Sequence, residues 1–117
     1  MERILNTQAA REMVDNDLSL YRILLEAYIN DKILDESRLL SLEAQDDTTE
    51  AAKYVHYFKG AARQLGAEVL AREGQSLEDV LRGKAHGDVK ALNEGFVSAY
   101  EEAVEAMKAE LASLPEE

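Results

Sequence analysis

The chain has 117 residues, 13 basic against 24 acidic, giving a formal charge of −11, with no cysteine and no tryptophan. That length fits one domain with one hydrophobic core, over residues 1–117, and leaves no room for separate nucleotide and substrate domains. The acidity excludes nucleic acid and anionic lipid as main partners, and the missing cysteines remove disulfides and thiolate chemistry.

The only proline is Pro115, so no ring breaks a helix before it, and strong helix formers dominate. No alternating run of β-branched residues suggests a strand. Asn6 or Thr7 caps a short first helix whose apolar residues are Ala9, Ala10, Met13 and Val14. Asp15-Asn16-Asp17 turns the chain into a second helix running to about Asp31, with Leu20, Ile23, Leu24, Ala27 and Tyr28 on one side. Leu25 and Ile29 widen its apolar surface, so this helix is expected to be covered on more than one face. A third segment near 33–45 carries Leu39, Leu40, Leu42 and Ala44 and reads as a separate helix or a bent continuation.

Asp46-Asp47-Thr48-Thr49 supplies a turn and cap before a fourth helix from about Glu50 to Leu65, stopped at Gly66. Residues 67–82 form another helix through Val69, Leu70, Leu77, Val80 and Leu81. After the loop from Gly83 to Gly87, Asp88 caps a last helix roughly 40 Å long. In it Val89, Leu92, Phe96, Tyr100, Ala103, Met107, Leu111 and Leu114 recur at steps of three and four. The fold class expected is all-α, an antiparallel four-helix bundle with a short N-terminal cap helix. The longest apolar runs, such as Ile23-Leu24-Leu25, fall far short of the roughly 20 residues that span a bilayer. The start Met1–Asn6 lacks the basic and apolar regions of a secretory signal, so a soluble cytoplasmic domain is expected.

The fourth helix is the unusual one. At 100° per residue, Ala51, Tyr54, Val55, Phe58, Ala61, Ala62 and Leu65 form its core stripe. With Phe58 at the centre of that stripe, His56 and Gly60 each fall about 160° away, one turn apart on the solvent side. Glycine inside a helix costs about 1 kcal/mol relative to alanine, and no packing offsets this on an exposed face. Close approach of another molecule to the imidazole explains it. Lys53, Lys59 and Arg63 surround His56, and no carboxylate occurs between 51 and 67. In so acidic a chain, that is a local positive patch around one nucleophile, suited to a phosphoryl group and an acidic partner surface. An exposed imidazole is largely neutral at pH 7 and then nucleophilic. Phosphoryl transfer spreads negative charge over three oxygens, which a neighbouring ammonium, Lys59, stabilises.

The spacing His56-x-x-Lys59-Gly60, followed by Gly66-Ala67, Leu70 and Leu77-Glu78, resembles the histidine-containing phosphotransfer domains of multistep two-component phosphorelays. The match runs across nearly the whole chain, with Asn6 to Ile29 similar to the family's opening helix pair. The resemblance implies a phosphocarrier and not an enzyme with its own substrate pocket. It implies that His56 accepts a phosphoryl group on Nε2 from a receiver domain's phospho-aspartate and passes it to another receiver. Lys59 would stabilise the phosphoryl oxygens and Gly60 would leave room for docking. The partner face would include Ala52, Lys53, Tyr57, Arg63, Glu78 and Arg82. Glu78 stands where similar domains place a polar residue beside the histidine; it either orients the imidazole through Nδ1–H or opposes a dianionic phosphoryl group. Tyr57 departs from the aliphatic or small residue often found there. No cofactor is expected on this chain, the Mg²⁺ for transfer belonging to the receiver. The expected partners are receiver domains or hybrid sensor kinases, met by a free-standing monomer.

Other chemistries fit less well. A di-metal bundle needs Glu-x-x-His pairs, whereas Lys53 and Gly83 stand three residues before His56 and His86. His86, beside Gly87, reads as a solvated loop residue. The Asp15-Asn16-Asp17 and Asp46-Asp47 clusters lack the glycine and final glutamate of a calcium loop. Two alternative functions remain: a docking bundle that relays no phosphate, and the phosphorylatable domain of a chemotaxis-type histidine kinase, charged from ATP.

Overall fold

Six helices appear in the computed structural model, which describes residues 1–115; the last two positions of the expected 1–117 domain lie outside the described residues. They are α1 (Thr7–Met13), α2 (Leu18–Asp31), α3 (Glu36–Glu43), α4 (Thr49–Gln64), α5 (Glu68–Leu81) and α6 (Val89–Ser113), with no strand among the described residues. The caps follow the sequence closely. Asn6, Asp17, Asp35 and Asp88 each accept a backbone N–H of the following first turn through a side-chain oxygen, satisfying donors that the helix cannot. Asp15 and Asn16 both take left-handed backbone (φ 54° and 60°), the region that short polar side chains tolerate.

Gly66 ends α4 at φ +77°. A side chain there would also collide with the carbonyl of Asn6, whose N–H donates to the Gly66 carbonyl at 2.7 Å. Only glycine meets both demands, and the contact ties the start of α1 to the α4–α5 corner. Helix α4 packs on α5, α5 on α6, α6 on α2 and α3 on α4, in a molecule of 49 × 27 × 19 Å. The stripes expected on α4 and α6 are the ones buried: Ala51, Val55, Phe58, Ala62 and Leu65 meet Phe96, Ala103, Met107 and Leu114 in one core.

Helix α2 departs from its expected face. Tyr21, Leu25 and Tyr28 are buried, whereas Leu20, Ile23, Leu24 and Ala27 are exposed. The tyrosines win because each buries a ring and still satisfies its hydroxyl. Tyr21 donates to Glu110 at 2.8 Å, and Tyr28 donates to the Phe58 carbonyl at 3.1 Å, joining α2 to α4. The segment after α2 resolves into a separate helix, α3, which buries Leu39 and Leu42 and leaves Leu40 and Ala44 exposed. Its approach is fixed by two tyrosine hydroxyls. Tyr100 donates to the Lys32 carbonyl (2.6 Å) and accepts from the Leu34 N–H, while Tyr54 accepts from the Asp35 N–H (3.0 Å). No helix among the described residues is long and apolar enough to cross a membrane.

Candidate functional site

His56 sits midway along α4 with its side chain 59% exposed. Its Nδ1 lies 3.2 Å from both carboxylate oxygens of Glu78, near the C-terminal end of α5. Glu78 is nearly closed off from solvent, its side chain 7% exposed, yet it is fully engaged. The Lys59 ammonium stands 2.8 Å from Oε1, and the Arg82 Nε donates to Oε2 at 2.8 Å. Burial pushes the Glu78 carboxyl up, but hydrogen bonds from Lys59, Arg82 and His56, with the Lys59 charge, outweigh it and hold the group at about 2. Glu78 is therefore an anion at neutral pH. An anion on Nδ1 draws the imidazole proton to that nitrogen and leaves the Nε2 lone pair for attack.

Lys59 corrects an expectation. The ring of solvent-side cations around His56 does not include it: its side chain is 6% exposed and buried against α5. It lies on the edge of the α4 core stripe, in line with Ala52, Val55 and Ala62 at helical spacing, and that edge is covered by α5. Its ammonium donates to Gln75 Oε1 at 2.9 Å as well as facing Glu78, and Gln75 in turn donates to Asp79 at 2.7 Å. Two of the three ammonium donors are thereby engaged. The absence of carboxylates between 51 and 67 was thus no guide to the local charge, because Glu78 arrives from the neighbouring helix.

Ala52 is a second correction. It is fully buried and belongs to the core, not to the rim around His56. Glu78 is a third, buried at 5% exposure behind His56; Gly60 is half-buried, and the remaining predicted residues stay at the surface. Tyr57 is exposed, with the Lys32 ammonium 3.5 Å from its ring centre in a cation–π contact. Lys53 is exposed and 3.4 Å from Glu50, and Arg63 is exposed. A side chain added at Gly60 would meet nothing within 4 Å, so no internal packing requires a glycine there. His86 lies exposed in its loop, away from this constellation.

Sequence reasoning missed Gln75, Asp79 and Gly74. Gly74 admits the stem of Lys59: a Cβ there would stand 3.0 Å from the Lys59 Cβ and 3.3 Å from Phe96. The signal available was the pair of i, i+4 steps on one helix, Gln75 to Asp79 and Glu78 to Arg82, which line the face that α5 turns to α4.

The family model of the Hpt domain matches residues 7–114, nearly the whole chain. The chain belongs to the Hpt domain family. Neither a curated protein nor a solved structure matches it. Hpt domains are phosphocarriers of two-component phosphorelays and not enzymes; they carry phosphohistidine and interact with receiver domains and histidine kinases.

Proposed function

We propose that this Hpt domain accepts a phosphoryl group on Nε2 of His56 from the phospho-aspartate of a receiver domain and hands it to a second receiver. The observation that carries this reading is the exposed imidazole anchored at Nδ1 by the buried Glu78 carboxylate. In the forward step the Nε2 lone pair attacks phosphorus, the N–P bond forms, and the P–O bond to the aspartate breaks, releasing a carboxylate. The Nδ1 proton stays in place, so the phosphorylated ring carries positive charge against Glu78, which stabilises it. The remaining Lys59 donor reaches a phosphoryl oxygen as negative charge spreads over the group. The return step runs the same bonds backwards onto the second aspartate. Mg²⁺ belongs to the receiver's acidic site.

Gly60, Tyr57, Lys53, Arg63 and Arg82 make the docking face in this reading, with Gly60 the point of closest approach. We also assign the antiparallel four-helix bundle to α2, α4, α5 and α6, with α1 as its cap. Support comes from the packing of α4 on α5, α5 on α6 and α6 on α2, the Tyr28-to-Phe58 bridge, and the short α4–α5 and α5–α6 connections.

Mixing the protein with a phosphorylated receiver and Mg²⁺ should transfer acid-labile label to the chain. His56→Gln should remove that label entirely; equal labelling of this variant would overturn the assignment. A kinase catalytic domain with ATP, offered in place of the phospho-receiver, separates relay from the chemotaxis-kinase alternative. Receiver binding without transfer would identify a docking bundle.

A further inference from the structure

A second carboxylate, half-buried, stands at the end of α3. Glu43, the last residue of α3, accepts a hydrogen bond from the Asn93 amide of α6 at 2.6 Å, through Oε1. Asn93 is 4% exposed. The other oxygen of each group, Glu43 Oε2 and Asn93 Oδ1, is shut off from solvent and has no hydrogen-bond partner. Two orphaned acceptors on two side chains already joined by one short bond would each cost about 1–3 kcal/mol. A single donor between them removes both costs.

We propose that this donor is a proton held on Glu43, so that Glu43 Oε2–H donates to Asn93 Oδ1 while Asn93 Nδ2–H donates to Glu43 Oε1. Acid and amide then form a closed, two-bond clasp between α3 and α6. Turning the Asn93 amide over does not remove the requirement, because two oxygens would then face each other at 2.6 Å, again demanding a proton on the acid. The surroundings agree. The charged groups facing Glu43 across a groove of about 390 Å³ are Glu36 of its own helix and Lys90 and Glu94 of α6. Two of those three disfavour an anion. Helix α4, which also packs on α3, buries Ala51, Ala52 and Val55 in its first turns, while its charged Glu50 and Lys53 stand near each other at the exposed surface. Burial raises the Glu43 carboxyl from its usual value, and the single Asn93 hydrogen bond only partly opposes that.

The consequence is a local, pH-dependent hold on α3. The folded-state value lies above the unfolded one, so the clasp is fully formed below about 4.3 and is lost as pH rises through the folded value. Opening should be confined to 36–43, because the incoming chain is anchored separately by Tyr54 and Tyr100.

The test is ¹³C NMR titration of the Glu43 carboxyl, together with amide hydrogen exchange across α3, in the wild type and in Glu43→Gln. The Gln side chain supplies both a donor and an acceptor and so mimics the protonated clasp. In the wild type, Glu43 should titrate above the ordinary glutamate range. Above that midpoint α3 protection should fall up to about tenfold per pH unit, after correction for intrinsic exchange. In Glu43→Gln the protection should persist with no such fall, and α4 should be unaffected in both proteins. A Glu43 that titrates near 4.3, or α3 protection that depends on added salt or an added cation such as n-butylammonium, would overturn the proposal. So would loss of α3 protection at low pH in Glu43→Gln.

Discussion

Glu78 is buried and Glu43 half-buried with one oxygen shut off from solvent, and the two are driven in opposite directions. Glu78 faces an ammonium, a guanidinium and an imidazole, and stays ionised down to about pH 2. Glu43 faces one amide and is pushed the other way. Burial is common to both and disfavours the charged form in both, so the donors decide. Charge survives burial at the α4–α5 seam because three cationic or protic groups converge there. At the α3–α6 seam the cheaper solution is neutrality. One seam is thereby suited to stabilising charge on a histidine, the other to holding two helices together.

Removing each carboxylate should expose this contrast most strongly. Glu78→Ala leaves the Lys59 ammonium buried with Gln75 as its remaining close acceptor, and breaking a buried pair in this way costs about 3–5 kcal/mol. Glu43→Ala strands only a neutral amide, at about 1–3 kcal/mol. Urea unfolding of the two variants measures the difference, and equal losses would mean that the two seams are not electrostatically distinct.

Acid provides the next largest effect and separates the two glutamates by sign. The folded value of Glu78 lies below the unfolded value of about 4.3, so its contribution is fully present above that pH. It is lost as pH falls toward about 2, a change on the order of 3 kcal/mol. Glu43 contributes in the opposite direction over a higher range. Stability measured from pH 7 to pH 2 should therefore fall on the acid side in the wild type, and Glu78→Gln should flatten that limb.

Much of this arrangement was legible before any coordinates. Capping residues such as Asn6 and Asp88, the stop at Gly66, the core stripes of α4 and α6, and the exposed His56 all follow from local geometry and side-chain chemistry. What escaped depends on partners distant in the chain. Lys59 falls on the edge of the core stripe by spacing, but its charge reads as solvent-facing, and Glu78 and Gln75 on another helix keep it inside. On α2 the aliphatic residues Leu20, Ile23 and Leu24 looked like the core face. Of the expected face only Tyr28 is buried; it is joined there by Tyr21 and Leu25, and the two hydroxyls find the Phe58 carbonyl and Glu110. Ala52 is too small to declare a side, and it is claimed by the core.

Gly74 and Gly60 carry the same comparison into the site itself, since both lie in helix interiors near Lys59 or His56. Gly74→Ala would set a methyl 3.0 Å from the Lys59 Cβ and 3.3 Å from Phe96. Overpacking of that kind costs about 1–3 kcal/mol, and the displaced ammonium should slow phosphotransfer as well.

Gly60→Ala should do the reverse to stability and the same to transfer. The new methyl meets nothing within 4 Å in the isolated chain, so the helix gains only what alanine gains over glycine, about 0.5–1 kcal/mol. A receiver that must close on the imidazole one turn away meets that methyl, so transfer to and from His56 should slow while thermal stability rises. Measuring melting temperature and transfer rate on the same preparation tests this directly. A more stable variant that transfers at the wild-type rate would show that the glycine does not serve docking, and the partner face would then have to lie on the Tyr57 side of His56.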